Sequence, residues 1–307
     1  MSANAYLPAH FPIEFDNNWS VLTQEMLNRL KAFVQVETVQ GQEKQFNQIG
    51  QKDWQPITSR GSDTVITDTP TGKRLLRASA FDTADTFDEW DNEFLGNVVL
   101  PSSDVMQVHG AGYNRLLDQV IVQSALGNAT VPVVQSTGLT TYTSVALPSS
   151  QNIAINYVET GSTANSSMTL GKLRQAKFIF DDNDVDESEE RVIALCAKEL
   201  NALLRDTQIG SHDWNDVQAW VDGKLEKFMG FTLKRVSKTV NPAVSGVRIV
   251  PAWVKSGIKL ADSGKKAYMD VLPMKRHALQ MRSTAAVGGT RMEEKKVVAI
   301  YCDTTLS

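Results

Sequence analysis

TVITDTPTGKRLLRASAF, residues 64–81, holds two short β-prone runs joined by the turn-like sequence Thr69-Pro70-Thr71-Gly72. The chain around it, from about Gly41 to Thr86, is polar. It is punctuated by Gly41, Gly50, Gly61 and Gly72 and interrupted by Pro56 and Pro70. This reads as a long β-hairpin with little core of its own. A two-stranded hairpin is marginal in water, so this one has to lie on another surface. That surface is either its own body or a neighbouring subunit.

Working outward, residues 1–18 lack periodicity and read as an extended arm. Ser20 then opens a helix to about Val36, with Leu22, Met26, Leu30, Phe33 and Val34 on one narrow face. On the other side of the hairpin, Pro101, Ser102 and Ser103 start the longest helix, over 103–126. Val105, Met106, Tyr113, Leu116, Leu117, Val120 and Ile121 recur along it at helical spacing. Gly110 and Gly112 weaken its middle by about 1 kcal/mol each relative to Ala, which points to a close crossing or a bend. Residues 127–168 read as β and loop, with IAINYVE (153–159) as the best strand. Thr169 caps a helix over LGKLRQAKFIFDD (170–182), RVIALCA (191–197) is a buried strand, and AKELNALLRD (197–206) and HDWNDVQAWVDG (212–223) are helices. FMGFTLKRVS (228–237), GVRIVPAWV (246–254) and KSGIKLA (255–261) read as strands, with Pro251 marking an edge or a bulge. GGTRMEEKKVVAIYCD (288–303) ends in a strand. Strands and helices do not alternate regularly, so the class is α+β and not a doubly wound parallel sheet.

The residues offer little chemistry. The chain has 307 residues with 42% hydrophobic and 21% charged, enough for a large core without staples. Its net charge of −4 argues against an all-over nucleic-acid-binding surface. Cys196 and Cys302 sit in apolar runs far apart, which reads as two buried thiols in a reducing compartment. The first residues, MSANAYLPAHFPIEF, lack the pattern of a signal peptide, and no window reaches the ~18 apolar residues of a membrane span. His10, His109, His212 and His277 have no second ligand at metal spacing, and no G-x-S-x-G, P-loop or G-x-G-x-x-G is present. The acidic run 181–187 offers Asp182, Asp184 and Asp186 in calcium-loop order. However, Glu187 stands where the turn glycine belongs and Ile193 where the closing glutamate belongs, so it reads as a solvated loop. No catalytic, cofactor or metal residues are therefore assigned. Between Lys255 and Lys296 ten Lys and Arg face only Asp262, Asp270, Glu293 and Glu294. That balance suits a surface near a polyanion, or an ordinary solvated face.

The stretch NYVETGSTANSSMTLGKLRQAKFIFDDNDVDESEERVIALCAKELNALLRDTQIGSHDWNDVQAWVDGKLEKFMGFTLKRVS (156–237) resembles the centre of a family of tailed-bacteriophage major capsid proteins. ITSRGSDTVITDTPTGKR (57–74), AWVKSGIKLA (252–261) and TRMEEKKVVAIYCD (290–303) are similar to other parts of the same family. The resemblance runs from about residue 20 to the end. It implies the tailed-phage capsid fold, shared with herpesvirus capsid floors and encapsulin shells. Residues 1–40 would be the N-terminal arm and 41–86 the extended loop (E-loop). Residues 87–189 would be the peripheral domain, with its spine helix at 103–126. Residues 190–262 would be the axial domain, and 263–307 would return to the peripheral domain.

The same resemblance implies pentamers and hexamers of an icosahedral shell around double-stranded DNA. The shell would be assembled in the bacterial cytoplasm, with portal, scaffolding and decoration proteins as partners and DNA contacts that are non-specific. The Gly110–Gly112 step would let the spine helix bend between capsomer positions. The Lys and Asn that crosslink some relatives cannot be placed here, so no crosslink is expected. The capsid-like sequence begins near Trp19 without a helical prelude, so scaffolding is expected from a separate protein. Rival readings are an encapsulin-like compartment shell, an α+β enzyme with a site invisible in sequence, and a tail or adhesin protein.

Overall fold

The computed structural model describes residues 24–61, 63, 64, 66–87, 102–135, 140–159, 161, 164–205 and 227–305, with the side chains of 102–104 excepted. The expected helix at 212–223 lies outside the described residues, as does most of the expected arm.

The segment 24–37 is not helical. It makes a single 3-10 turn at Lys31–Phe33 and then strand β1, Gln35–Glu37. Of the described residues of the expected stripe, Leu30 and Val34 are buried, at 0% and 3% exposure, and Met26 and Phe33 are half-buried. The backbone amides of Arg29 and Leu30 donate to the Asp118 carboxylate at 3.0 and 3.1 Å instead of to a helix of their own. Strand β2, Glu43–Ile49, pairs antiparallel with β3, Thr71–Arg77. The hairpin is therefore real, but the partner of GKRLLR is EKQFNQI and not TVITD. Thr69-Pro70 leads into β3 and is not its turn. Beyond β3, β4 (Ser79–Phe87) leaves for a different sheet.

Helix α1, Ser102–Leu126, is continuous through Gly110–Gly112. Its buried face carries Ala111, Leu117, Ile121, Val122 and Ala125 together with His109 and Asp118. Strands β5, Ala129–Val134, and β6, Thr140–Val145, complete a four-stranded sheet in the order β2-β3-β5-β6. The expected strand IAINYVE shrinks to β7, Asn152–Ile153, because the chain turns at once, with the Tyr157 amide donating to the Ala154 carbonyl.

Helix α2, Leu170–Asp182, forms as its sequence dictates. Thr169 accepts from the Lys172 amide, and Leu170, Leu173, Ala176 and Phe180 are buried. Strand β8, Arg191–Leu195, is buried throughout, and helix α3, Ala197–Leu204, follows it. FMGFTLKRVS is a tight hairpin and not one strand. β9, Lys227–Phe228, turns through Met229 and Gly230, at φ 52° and 83°, into β10, Phe231–Arg235.

β11, Val247–Val254, lies in the interior of its sheet, yet Pro251 stands at a local edge, paired with Ala299 on one side and with no described strand on the other. The ladder to β8 begins only at Ala252, one residue past the proline. β12, Ile258–Asp262, and β13, Lys266–Leu272, lead to the 14-residue β14, Ala278–Arg291. β15, Val297–Asp303, is last.

The six-stranded sheet, ordered β7-β15-β11-β8-β10-β9, is covered on both faces. One core holds Ile193 and Leu195 of β8, Val298 and Ile300 of β15, and Leu173 and Phe180 of α2. The other holds Val192 and Ala194 of β8, Trp253, and Leu117 and Ile121 of α1. Alternate residues of one strand serve opposite layers, which is why RVIAL reads as an unbroken apolar run. This sheet draws on chain from both sides of the residues 190 and 263. The third sheet is built on β14. β12 and β13 share one edge of it and β4 takes the other, while β1 pairs parallel with β12.

Candidate assembly surface

The β2–β3 hairpin combines a fixed base with a bare tip. At the base, Gln48 Nε2 and Arg74 Nε both donate to the Met292 carbonyl, at 2.5 and 2.8 Å. Arg74 also pairs with Glu294 at 2.5 Å. Glu37 bridges Lys44 of β2 and Lys259 of β12 at 2.9 and 2.7 Å, and these two ammonium groups hold its carboxyl below its usual range. Lys259 also lies 4.0 Å from the centre of the Phe46 ring.

Beneath the base, the fully buried Arg291 donates to the carbonyls of Ala125, Gly127 and Val145 at 2.7–3.2 Å. It thereby ties the end of α1 to β6 and, through the chain, to β14. Burial holds its guanidinium below the usual value. Two glycines of β14 permit the contact. A Cβ at Gly288 would stand 2.1 Å from the Arg77 carbonyl oxygen at the end of β3, and one at Gly289 would stand 2.1 Å from Ser124 Oγ of α1. Successive strand residues face opposite sides, so the hairpin presses on one face of β14 and the helix on the other.

Beyond the base, the arms of the tip stay side by side. The Gly50 amide donates to Pro70 O and Lys52 Nζ to Thr67 O, both at 2.7 Å. Every described residue from 51 to 68 is exposed. Among them Trp54 is 98% exposed, and Ile57 and Ile66 are each 88% exposed. Their apolar surface is left open by the described residues.

The segment 24–30 lies along α1. Asn114 Nδ2 donates to Met26 O at 2.6 Å and Arg115 Nη1 to Gln24 Oε1 at 2.8 Å, beside the Asp118 bonds. Burial pushes the Asp118 carboxyl up to about 6, against the pull of its two amide donors.

The Ser, His and Asp that the structure brings together were invisible in sequence. His109 of α1 shares hydrogen bonds with Ser283 Oγ of β14 at 3.1 Å and Asp85 of β4 at 2.7 Å. Ser283 is 5% exposed while the Asp85 side chain is 54% exposed. An acyl-transfer triad has the reverse order, with an accessible hydroxyl and a buried carboxylate, so this trio ties helix to sheet. His277 is exposed at the β13–β14 turn, with φ 58°. His10 and His212 lie outside the described residues. Both thiols are buried and unpaired, and burial pushes Cys196 up to about 11 and Cys302 up to about 12. The acidic run is the loop from α2 to β8, where Asp181 pairs with Arg191 at 2.7 Å and Asp186 accepts from the Ser188 amide at 2.8 Å. Among the described residues no His, Cys, Asp and Glu group could hold a metal ion, and no helix is long and apolar enough to cross a membrane.

The basic run 255–296 is partly neutralised. Lys259, Arg282 and Lys296 have carboxylate partners, and Arg291 is inside.

Solved structures share this architecture over nearly the whole chain. The capsid of Ralstonia phage GP4 matches with a TM-score of 0.70 at 9% identity, covering 99% of this chain and 98% of that one. The cyanophage Pam1 capsid gives 0.69 at 13% identity, covering all of both chains (100% and 100%). The capsid of cyanophage P-SCSP1u gives 0.68 at 15% identity, covering 96% and 94%. No curated protein matches by sequence. The family described as phage capsid protein matches residues 7–304. With that match spanning nearly its full length, and with the fold of phage capsids beneath it, the chain belongs to the phage capsid protein family.

Proposed function

We propose that this chain is the repeating subunit of an icosahedral phage shell, built from its pentamers and hexamers around double-stranded DNA. The observation that carries the proposal is the bare apolar tip, residues 50–70, on an ion-paired and tightly packed base. A lever of this kind would bury Trp54, Ile57 and Ile66 on another molecule. Each such contact is modest, but one subunit makes several, and multiplicity stabilises a closed shell well beyond any pair.

In this reading residues 1–40 are the arm, 41–86 the extended loop, and α1 the spine helix of a peripheral domain over 87–189. The chain over 190–262 forms the axial domain near the capsomer centre. Residues 263–307 run back through the peripheral part, with β15 joining the six-stranded sheet. The Gly110–Gly112 step is where the spine adapts to different capsomer positions. Portal, scaffolding and decoration proteins are the expected partners, and assembly takes place in the bacterial cytoplasm. The buried Ser283 argues against catalysis at the His109 trio.

The test is size-exclusion chromatography with negative-stain electron microscopy, on the chain alone and co-expressed with its neighbouring genes. Shells or capsomers are expected from the wild type. A tip variant carrying Trp54→Ala, Ile57→Ser and Ile66→Ser should stay unassembled with an unchanged melting temperature. A wild-type monomer under both conditions, or shells from the tip variant, would overturn the proposal.

A further inference from the structure

A cleft of about 510 Å³ opens where segment 24–29 crosses the start of α3 and the end of β10, away from the hairpin. Arg29, Lys198, Arg235, Lys238 and Arg248 line it. Their charges are unevenly spent. Arg248 is 6% exposed and is committed to the buried Glu199 at 2.7 Å, yet its Nε has no hydrogen-bond partner. Arg29 pairs at 2.8 Å with Glu25, the one acidic residue among the described ones lining the cleft, and also donates to the Arg235 carbonyl. Lys198 donates to the Thr304 carbonyl at 3.0 Å. Among the described residues Arg235 and Lys238 have no ion-pair partner, and both are exposed. The eight-residue α3 begins here, and its N-cap Cys196 makes no side-chain cap bond, so the first amides of the helix are not covered by their own cap.

We propose that this cleft binds a phosphate group. Lys198, Arg235 and Lys238 are exposed and, among the described residues, have no carboxylate partner, and they line the cleft beside the uncapped start of α3, where Arg248 neutralises the buried Glu199. A tetrahedral anion can accept from amides and several cations at once. The shared chemistry is the phosphate oxygen set, supplied either by a nucleic-acid backbone or by the free ion. The inference stands on the cleft and does not require the shell reading, because the test uses unassembled chain.

The full-length chain, taken from its unassembled size-exclusion fraction, is titrated with inorganic phosphate by calorimetry. It is also titrated with a fluorescent DNA duplex by anisotropy at two salt concentrations. The variant Lys198→Gln/Arg235→Gln/Lys238→Gln changes only exposed side chains, so its melting temperature serves as the folding check. It should lose about tenfold or more in affinity and flatten the salt dependence of duplex binding by about two to three charges. The control is Lys265→Gln/Lys266→Gln, on the distant β13 side, which should change neither. Duplex binding that millimolar phosphate displaces and the triple variant loses assigns the site to nucleic acid. Phosphate binding without duplex binding, again lost in the triple variant, assigns it to the free ion. No binding of either probe, unchanged binding by the triple variant, or an equal loss in the control would overturn the proposal.

Discussion

Two tryptophans measure the contrast between the six-stranded sheet and the hairpin tip. Trp253 on β11 is 0% exposed, packs with Leu117 and Ile121, and donates its Nε1 to the Phe33 carbonyl at 3.0 Å. Trp54 is 98% exposed. One indole has its surroundings within the chain and the other is open to solvent. A sheet covered on both faces spends its apolar residues on holding the subunit together. A bare tip on a fixed base keeps them for contacts between subunits. Stability and assembly are thus placed on different residues of one chain, and substitution can separate them.

The largest effect should follow Trp253→Ala, which removes a wholly buried ring from the core beneath α1. The expected cost is about 3–5 kcal/mol, read as a lower urea midpoint. Trp54→Ala should leave the midpoint within about 0.5 kcal/mol of wild type. If Trp54→Ala costs as much as Trp253→Ala, the tip packs on its own body and the contrast collapses.

Next comes the joint between the two regions. Arg291→Met would leave the carbonyls of Ala125, Gly127 and Val145 without their donor. A buried polar group left unpaired costs about 1–3 kcal/mol, and the loss should appear in thermal melts. Gly288→Ala tests the same joint from the backbone side. The Arg77 carbonyl oxygen would stand 2.1 Å from the new methyl group, so β3 has to move. Hydrogen exchange should speed up along 43–49 and 71–77 while β8 stays protected. Uniform exchange across both regions would show that base and body unfold as one unit.

The two regions also differed in how far sequence could reach them. RVIAL, the Thr169-capped helix and VVAIYCD were legible because apolar period and capping agree with the burial found. The partner strand of the hairpin was not. EKQFNQI half-buries Lys44, Phe46 and Gln48 and leaves Ile49 exposed, a pattern that no hydropathy window ranks. The longest described strand, β14, was missed because STAAVGGTR trades alternation for small residues that let two elements approach. The expected helix at 20–36 failed, over its described part, for a reason that lies 88 residues away. Asp118 claims the amides that helix would have used. The cationic cleft collects residues from 29 to 248 and has no spacing to read.

Asp118 gives a pH-dependent form of the comparison. Its carboxyl is raised from 3.8 to about 6 by burial. A raised acid contributes stability that is full below its unfolded value and is lost as pH rises through the folded one. Relative to Asp118→Asn, the wild type should therefore gain stability as pH falls from about 7.5 to about 4.5. The gap in melting temperature should move by a few degrees in its favour. A constant gap would show that Asp118 does not change its charge in that range.

The smallest effect belongs to the β4–β14 extension. There Arg282 and Asp82 pair at 3.0 Å, with side chains 48% and 61% exposed. An ion pair so open to solvent is screened and costs side-chain entropy to hold, and pairs of this kind contribute about 0–1 kcal/mol. Beside it, the His109 trio fastens the same two strands to α1 from the buried side. Asp82→Ala and Arg282→Ala, singly and together, should each shift the melting temperature only slightly, with a coupling below about 1 kcal/mol in the double-mutant cycle. His109→Ala in the same assay should cost more, because it strands Ser283 in the interior. Equal costs would mean that the extension is held by its surface charges, and that the rule separating buried ties from exposed contacts does not reach this sheet.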